Sequence, residues 1–287
     1  MVNIGKLLKE AYSPRKKKMT EKVSVSELLN KACADGITEA GSFSLMGIRR
    51  LLKKILRSLD DDFDRDKFFS MFMELYALVM APSKRAKGVF HPSSLMEDCP
   101  RQLVYSLSRC PPSDKKVNTV SGELQRIFDT GTWNHIYFQA LLYRLGLLQQ
   151  AEVPVINKEK YINGKADGVF KDSVFGEKTV LEIKTMNDFN YRKAIFTPFK
   201  KHEFQASLYA RELGATKVLY LYINKNTCEI RDFLRPLQED MLLAADKKMD
   251  SIIECVEDGT LPKRKCATES CDTALNCPYR TRCFKDL

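Results

Sequence analysis

The sequence predicts an α/β domain with a mixed central sheet flanked by helices, a helical N-terminal extension and a cysteine-rich C-terminal tail. Three observations predict it. Apolar residues recur at helical spacing up to about residue 80, and runs of strand-like alternation follow between residues 151 and 224. Four cysteines then fall close together at the C-terminal end. We therefore place the boundaries of the three parts at 1–85, 86–265 and 266–287.

Composition narrows the class of protein. The chain has 287 residues, of which 44% are apolar, and this supports a hydrophobic core rather than wholesale disorder. No apolar run reaches the roughly 18 residues of a membrane span. The N-terminus lacks the layout of a secretory signal. We therefore expect an intracellular protein with no membrane association, located in the cytoplasm, or in the host cytoplasm if the gene is viral.

The charge and the cysteines favour two kinds of partner. The net charge of +10 and the isoelectric point near 9.1 suit a polyanion, and nucleic acid is the first candidate. Nine cysteines in a chain expected to be intracellular are better explained as reduced thiols or metal ligands than as disulfides.

The N-terminal part is predicted to be helical from Val25 to about Met80, after a basic arm at 14–18. The stretch "APSKRAKG" (81–88) has the composition of a linker. Residues 1–80 match no motif, and they are candidates for contact with a protein partner, for self-association or for DNA capture.

The elements of the central part follow in a clear order. The stretch 91–107 predicts a loop followed by a helix, and a long helix is expected over 122–147. The next three alternating runs, "AEVPVIN", "KADGVF" and "TVLEIKT", predict strands. A helix at about 199–213 precedes a fourth strand, "KVLYLYIN". Strands next to each other in sequence and a strand reached through a helix together imply a mixed sheet.

Charged residues interrupt the third predicted strand. Alternation along "TVLEIKT" puts Glu182 and Lys184 on one face and Leu181 on the other. If the preceding turn is centred near Val174, residues whose numbers sum to about 349 lie opposite each other, which pairs Asp167 with Glu182. Two facing carboxylates repel unless a cation lies between them, and oxygen ligands around a gap suit Mg²⁺ or Mn²⁺. The alternative is a surface hairpin with an ordinary Glu–Lys ion pair.

These residues resemble a known family. "GKAD" followed by "LEIKT" resembles the signature of the PD-(D/E)XK nuclease superfamily, and "HEFQASLYA" resembles the Gln-x-x-x-Tyr motif of its RecB-like branch. "GTWNHIYF" resembles the helix that supplies a histidine ligand there. The resemblance covers about residues 90–287. It implies a restriction-endonuclease-like core.

The resemblance also implies roles for individual residues. Mg²⁺ or Mn²⁺ would be held by His135, Asp167, Glu182 and the backbone carbonyl of Ile183. The side chains expected to stabilise charge or to place the DNA strand are Lys184, Gln205 and Tyr209. For His135, which lies on the apolar stripe of the long helix with Leu124 and Phe128, the alternative is a satisfied core histidine.

The cysteines resemble those of the branch members that carry an iron–sulfur cluster, such as the CRISPR-adaptation nucleases and the AddB nuclease domain. The resemblance implies a [4Fe–4S] cluster joining the tail to the start of the core, held by Cys99, Cys271, Cys277 and Cys283. Ala274 stands where that family has a cysteine, so Cys266 is the alternative to Cys271. A zinc ion bound within the tail by Cys266, Cys271, Cys277 and Cys283 is the alternative to the cluster.

The functional expectation is a divalent-metal-dependent deoxyribonuclease. The family members with clusters imply an exonuclease acting on single-stranded DNA, or on DNA with a free end, in replication, recombination or repair, including that of viruses and mobile elements. One alternative is an endonuclease of the same superfamily. Another, from a different class, is a non-catalytic DNA-binding module with a zinc-bound tail.

Overall fold

The computed structural model describes residues 65–80, 86–114 and 121–286. The helices of these residues are α1 (Arg65–Met80), α2 (Pro92–Leu95), α3 (Pro100–Leu107), α4 (Gly122–Arg144), α5 (Asp172–Phe175), α6 (Asp188–Lys193), α7 (Lys200–Glu212), α8 (Glu239–Glu257), α9 (Asp272–Leu275) and α10 (Arg280–Lys285). The strands are β1 (Leu148–Asn157), β2 (Ile162–Phe170), β3 (Thr179–Met186), β4 (Lys217–Asn224) and β5 (Ile230–Pro236).

The strands of the described residues form one five-stranded sheet in the order β1-β2-β3-β4-β5. Only the β3–β4 pair is parallel, because α6 and α7 carry the chain back across the sheet between those two strands. The other neighbours pair antiparallel. The predicted mixed α/β architecture is confirmed. Sequence reasoning missed β5 and α8, and β5 is hard to find because Phe233 is its only fully buried side chain.

Both faces of the sheet are covered, so two apolar cores form. On one face, Val180, Tyr220 and Tyr222 pack with buried residues of α7 and α8. On the other face, Leu181 and Ile183 pack with Phe138 of α4 and with apolar residues of β2 and β4. Alternate residues of β3 therefore serve different cores. This explains why buried apolar residues occur at consecutive positions of the strand, as at Val180 and Leu181.

Helix α4 begins close to where the sequence predicts and ends three residues earlier, at Arg144. Ser121 caps it by accepting a hydrogen bond from the Leu124 backbone N–H. The apolar stripe predicted to face the core is buried only in its C-terminal half. Phe138 is 9% exposed, whereas Leu124 is 40% and Phe128 52% exposed. The prediction of a continuous core face is therefore wrong for the first half of this helix.

Helix α1 stacks Phe72 and Tyr76 against Trp133 of α4. The predicted basic arm at 14–18 and the predicted helices before Arg65 lie outside the described residues, as does most of the predicted linker. Within the described ranges, no helix is both long enough and apolar enough to cross a membrane.

The start of α7 is fixed to the sheet through one tyrosine. The Tyr222 hydroxyl accepts a hydrogen bond from the Phe199 N–H at 2.9 Å, and Nδ1 of His202 lies 2.6 Å from the same hydroxyl. Burial, with the nearby charges of Lys184 and Lys201, lowers the pKa of His202 to about 3. The imidazole is therefore neutral in the folded protein, and it shares a hydrogen bond with the Tyr222 hydroxyl.

We predict that His202 makes the protein less stable in acid. Its pKa is depressed on folding, so its contribution to stability is present above the ordinary pKa of about 6.5 and is lost as the pH falls from there towards about 3. Urea unfolding at pH 7 and pH 5 should show a larger loss of stability for the native protein than for His202→Gln. Equal losses in both proteins would contradict the neutral, buried imidazole.

Candidate active site

The site begins where strands β2 and β3 separate. Their ladder consists of Gly168 opposite Leu181 and Val169 opposite Val180, which is the register that the sequence predicts. The next position, Asp167, is not part of the ladder. Its Oδ2 atom accepts a hydrogen bond from the Ile183 backbone N–H at 2.6 Å instead. A carboxylate therefore satisfies the buried N–H that a strand partner would otherwise satisfy.

The other oxygen of Asp167 faces helix α4. Its Oδ1 atom lies 3.2 Å from Nδ1 of His135. One turn further along the helix, Nε2 of Gln139 donates to the Asp167 backbone carbonyl at 2.9 Å. A third residue of the same face, Gly131, lies beside β3, where a Cβ atom would be 3.4 Å from Oγ1 of Thr185, an ordinary contact distance. Side chains four residues apart on one helix face thus hold both the side chain and the main chain of Asp167.

Glu182 and Lys184 extend to the same side of β3 and form an ion pair, with 2.6 Å between Nζ and Oε1. The Glu182 side chain is only 1% exposed and the Lys184 side chain 23% exposed. Oε2 of Glu182 has no hydrogen-bond partner among the described residues. The ion pair considered for this strand does exist, but it leaves one buried carboxylate oxygen unsatisfied. Such an oxygen is costly in a purely structural pair.

The pKa values follow from burial and mutual charge. Burial, together with the charge of Asp167, raises the pKa of Glu182 to about 7, although Lys184 opposes this. Burial also disfavours a charged Asp167, but His135 and Lys184 more than offset it and lower the pKa of Asp167. For His135, burial is likewise outweighed by Asp167, so its pKa is raised. The charged forms of these side chains therefore stabilise one another in a poorly solvated site.

Gln205 and Tyr209, predicted to share a helix face, continue this network. Nζ of Lys184 donates to Oε1 of Gln205 at 3.3 Å, and the Gln205 side chain is hydrogen-bonded to the Tyr209 hydroxyl. Gln205 is 8% and Tyr209 3% exposed, so neither offers much surface to a ligand. Their contacts instead fix the position of the lysine.

A glycine makes room for Tyr209. A Cβ atom on Gly164 of β2 would lie 2.6 Å from Cε1 of the Tyr209 ring. Burial, followed by the charge of Glu182, raises the pKa of Tyr209 above its ordinary range. The hydroxyl is therefore a neutral hydrogen-bonding group.

Sequence reasoning missed two polar residues of the site. Glu152 on β1 is 8% exposed and has a left-handed backbone, with φ of 53°. It pairs with Lys165 and accepts a hydrogen bond from Gln139 at 2.6 Å. Two signals could have revealed them: an acid inside the apolar run "AEVPVIN", and the four-residue spacing of Gln139 from His135.

The donor chemistry is of the kind that a hard divalent cation binds: two carboxylates, one of them with a buried and unpartnered oxygen, and an imidazole. Among the described residues, however, no group of three or more His, Cys, Asp or Glu side chains already has the arrangement of a metal site. Asp167 is turned towards His135 and Ile183, and Glu182 towards Lys184. The polar contacts of each carboxylate are thus made with other groups of the chain.

The cysteines meet at the other end of the described core. Cys99, at the N-terminus of α3, lines one pocket together with Cys266, Cys277 and Cys283. The thiol of Cys271 is hydrogen-bonded to Cys266. Burial and the neighbouring thiols raise the pKa of Cys266 to about 11. Of the four cysteines predicted as ligands, Cys99, Cys277 and Cys283 line this pocket, and so does the alternative Cys266, whereas Cys271 is not among the lining residues.

Hydrogen bonds attach the C-terminal segment to α3. Arg101, which is 7% exposed, donates to the backbone carbonyls of Pro262, Cys283 and Asp286 at 2.6, 3.1 and 3.0 Å. The Tyr105 hydroxyl donates to the Asp286 carboxylate at 3.0 Å. The thiols are therefore brought together by the fold of the chain itself.

Comparison with known proteins gives weak likenesses. No protein-family model and no curated protein matches the sequence. The crystal structure of SSO0001 is 16% identical at a TM-score of 0.42, with 83% of this chain and 96% of that chain covered. An alkaline exonuclease, LHK-Exo from Laribacter hongkongensis, is 11% identical at a TM-score of 0.46, covering 60% of this chain and 89% of its own. Its complex with dAMP gives 14% identity, the same TM-score and the same coverage. Scores this low carry no conclusion about function.

We predict that Gly164→Ala destabilises the protein by about 1–3 kcal/mol, because the new methyl group overlaps the Tyr209 ring. Chemical denaturation measures the change. In a Tyr209→Leu background the ring is absent, and the cost of Gly164→Ala should largely disappear. The same cost in both backgrounds would place the strain elsewhere.

Proposed function

We propose that this chain is a divalent-metal-dependent DNA nuclease with a restriction-endonuclease-like core of the PD-(D/E)XK superfamily. The observation that carries the proposal is the buried set of Asp167, Glu182 and Lys184 with one carboxylate oxygen unpartnered. A structural ion pair accounts for Lys184 and one oxygen of Glu182. It accounts neither for the second oxygen nor for the charged Asp167 beside it.

In this proposal His135, Asp167 and Glu182, with the Ile183 carbonyl, hold Mg²⁺ or Mn²⁺. Such a cation, when bound, polarises the scissile phosphate and lowers the pKa of an attacking water. Asp167 and Glu182 supply the negative charge that attracts it. Lys184 neutralises Glu182 in the ion pair, and if a cation took over that role, its ammonium group would be available to stabilise charge on the phosphate.

Gln205 and Tyr209 act as positioning residues in this scheme. Gln205 accepts from Lys184, and Tyr209 holds Gln205. Side chains this buried influence the DNA strand through Lys184 rather than by contact. Gln139 has the same kind of role for Asp167, because it fixes the backbone at that residue.

The substrate we propose is DNA, single-stranded or with a free end, degraded as an exonuclease does in replication, recombination or repair. The net charge of +10 supports a polyanionic substrate. An endonuclease of the same superfamily uses the same residues. A non-catalytic DNA-binding module remains the alternative from a different class, but it leaves the unpartnered Glu182 oxygen unexplained.

We expect Asp167→Ala, Glu182→Ala and Lys184→Ala each to reduce Mn²⁺-dependent cutting of labelled single-stranded DNA by more than about 100-fold. The reason is that each removes a charge that holds the cation or stabilises the phosphate. Rates on linear DNA, with circular dichroism to verify folding, measure this.

Matched controls come from the exposed face of α8. Asp250→Ala and Lys247→Ala remove the same charges at exposed positions, and they should cut like the native protein. Undiminished cutting by all three site variants would refute the assignment. Circular single-stranded DNA distinguishes the two nuclease classes, because an obligate exonuclease leaves it intact.

We further propose that the cysteine pocket holds a [4Fe–4S] cluster, with Cys99, Cys277 and Cys283 as ligands and Cys271 or Cys266 as the fourth. The support is the convergence of Cys99 with the tail thiols on one pocket. The tail-only zinc site leaves out Cys99, although Cys99 lines that pocket. In the cluster scheme these thiols are structural, since none belongs to the nuclease site.

Anaerobically purified protein should be brown and contain about four irons per chain, as a [4Fe–4S] cluster requires. Cys99→Ala should lose the iron and its visible absorption, whereas Cys228→Ala, at an exposed cysteine away from the pocket, should keep both. Single substitution of Cys266 and of Cys271 identifies the fourth ligand. A colourless protein that keeps one zinc in Cys99→Ala would favour the tail-only zinc site.

A further inference from the structure

The chain between β3 and α7, residues 187–199, connects the two elements that meet at the site. Lys184 lies two residues before the end of β3, and its partner Gln205 lies in the second turn of α7. The end of the segment is fixed at the same edge, because Phe199 donates to Tyr222, the residue opposite Lys184 in the sheet. This connecting segment therefore borders the site.

Hydrogen bonds hold the backbone of the connecting segment. Arg231 of β5 donates to the carbonyls of Tyr191 and Ala194 at 3.0 and 2.5 Å. Arg235 of the same strand donates to the carbonyl of Phe196 at 2.7 Å. Tyr191 and Ala194 are themselves buried, at 3% and 2% exposure. The segment is thus anchored at several points to the sheet.

Large apolar side chains nevertheless point into solvent from this anchored backbone. Phe196 is 83% exposed, Phe189 66% and Ile195 53%. Burial in this chain does not explain them, and three exposed apolar residues within eight positions of a segment that borders the proposed active site indicate a binding surface.

The charge around these side chains is positive. Residues 187–201 contain four basic side chains against one acidic side chain, Asp188, giving +4 − 1 = +3. Nζ of Lys193 lies 3.9 Å from the centre of the Phe189 ring. Flat aromatic faces beside cations match single-stranded nucleic acid, whose bases have open faces and whose phosphates are anionic. Paired bases inside a duplex have no such open faces.

We propose that Phe189 and Phe196 form a stacking platform for unpaired bases of the DNA strand whose phosphate lies at Lys184. The inference rests on the proposed nuclease function, and it specifies the form of the substrate as a single strand at this edge of the site. Arg231 and Arg235 hold the platform in place, and the neighbouring basic residues contact phosphates. The platform itself takes no part in the chemistry.

The binding test uses a fluorescein-labelled oligo(dT) strand and the whole chain in EDTA, so that no cutting occurs. The Phe189→Ala/Phe196→Ala double variant should bind at least about fivefold more weakly, as expected for lost base stacking. Tyr161→Ala, at an aromatic that is 43% exposed on the β1–β2 turn, is the matched control and should bind like the native chain. Equal binding by the double variant and the native chain would overturn the proposal.

Two further measurements separate stacking from other causes. Phe→Tyr at both positions should restore binding and Phe→Leu should not, because only the former keeps an aromatic ring. A strand of abasic sites keeps the phosphates without the bases, so the native and double-variant chains should bind it equally. A loss of the same size on the abasic strand would show that the rings do not act through bases.

A spectroscopic test locates the contact directly. Trp133 is the only tryptophan of the sequence, so a Trp133→Phe/Phe196→Trp chain reports on position 196 alone. Oligo(dT) should quench its fluorescence, and anionic phospholipid vesicles should not. Quenching by vesicles but not by DNA would assign the surface to a membrane and overturn the proposal.

This test is independent of the cleavage assay. If Asp167→Ala, Glu182→Ala and Lys184→Ala abolish cutting while the Phe double variant binds DNA normally, only the platform is wrong. If those three variants still cut, the nuclease site itself is wrong, whatever the binding result.

Discussion

The hydrogen bond from the Ile183 N–H to the Asp167 carboxylate is the contact around which the site is organised. Strands β2 and β3 are paired up to Gly168 and Leu181, and the carboxylate then occupies the place of the next backbone partner. If β2 and β3 stayed paired beyond Gly168, a backbone group of β2 would take the place of the Asp167 carboxylate. A pair that opened without an acceptor would leave a buried N–H unsatisfied. The Asp167 carboxylate therefore satisfies the Ile183 N–H at the point where β2 and β3 separate.

The same constraint explains the polar residues around it. An ionised carboxylate that is nearly buried requires compensating charge and hydrogen bonds, and His135 and Lys184 supply them to Asp167. Lys184 in turn is held by Glu182 and Gln205. Each group depends on the next, so removing one leaves a buried charge without its partner. Such a network is expected where a protein must keep charges ready for a ligand.

At a second place, buried polar groups also join the cysteine-rich tail to the core through hydrogen bonds. Arg101 donates hydrogen bonds to three backbone carbonyls of the C-terminal segment. The rings of Tyr105 and Tyr279 pack against each other, with 5.3 Å between their centres. Contacts within the protein thus bring the thiols near one another without the help of a metal. The proposed cluster would reinforce an existing attachment, while the proposed active site and the connecting segment lie along the sheet.

The sequence by itself determined strands β1 to β4, helices α4 and α7, and the register of the β2–β3 hairpin. These depend on local periodicity and turn residues, which can be read from the chain. It also predicted that Cys99 meets the tail, but by resemblance rather than by physics. It did not predict β5, whose side chains are mostly exposed, or the exposure of Leu124 and Phe128, because periodicity shows which residues share a face and not what covers it.

Only the tertiary structure decided how the site residues contact one another. Alternation placed Glu182 and Lys184 on one face, but their ion pair and the contact of His135 with Asp167 depend on side-chain packing between separate elements. Gln139 and Glu152 entered the site for the same reason, since their partners lie on other strands and helices. Contacts between distant parts of the chain leave almost no local signal. The sequence therefore predicted which residues could form the site, and packing between separate elements decided which contacts each of them makes.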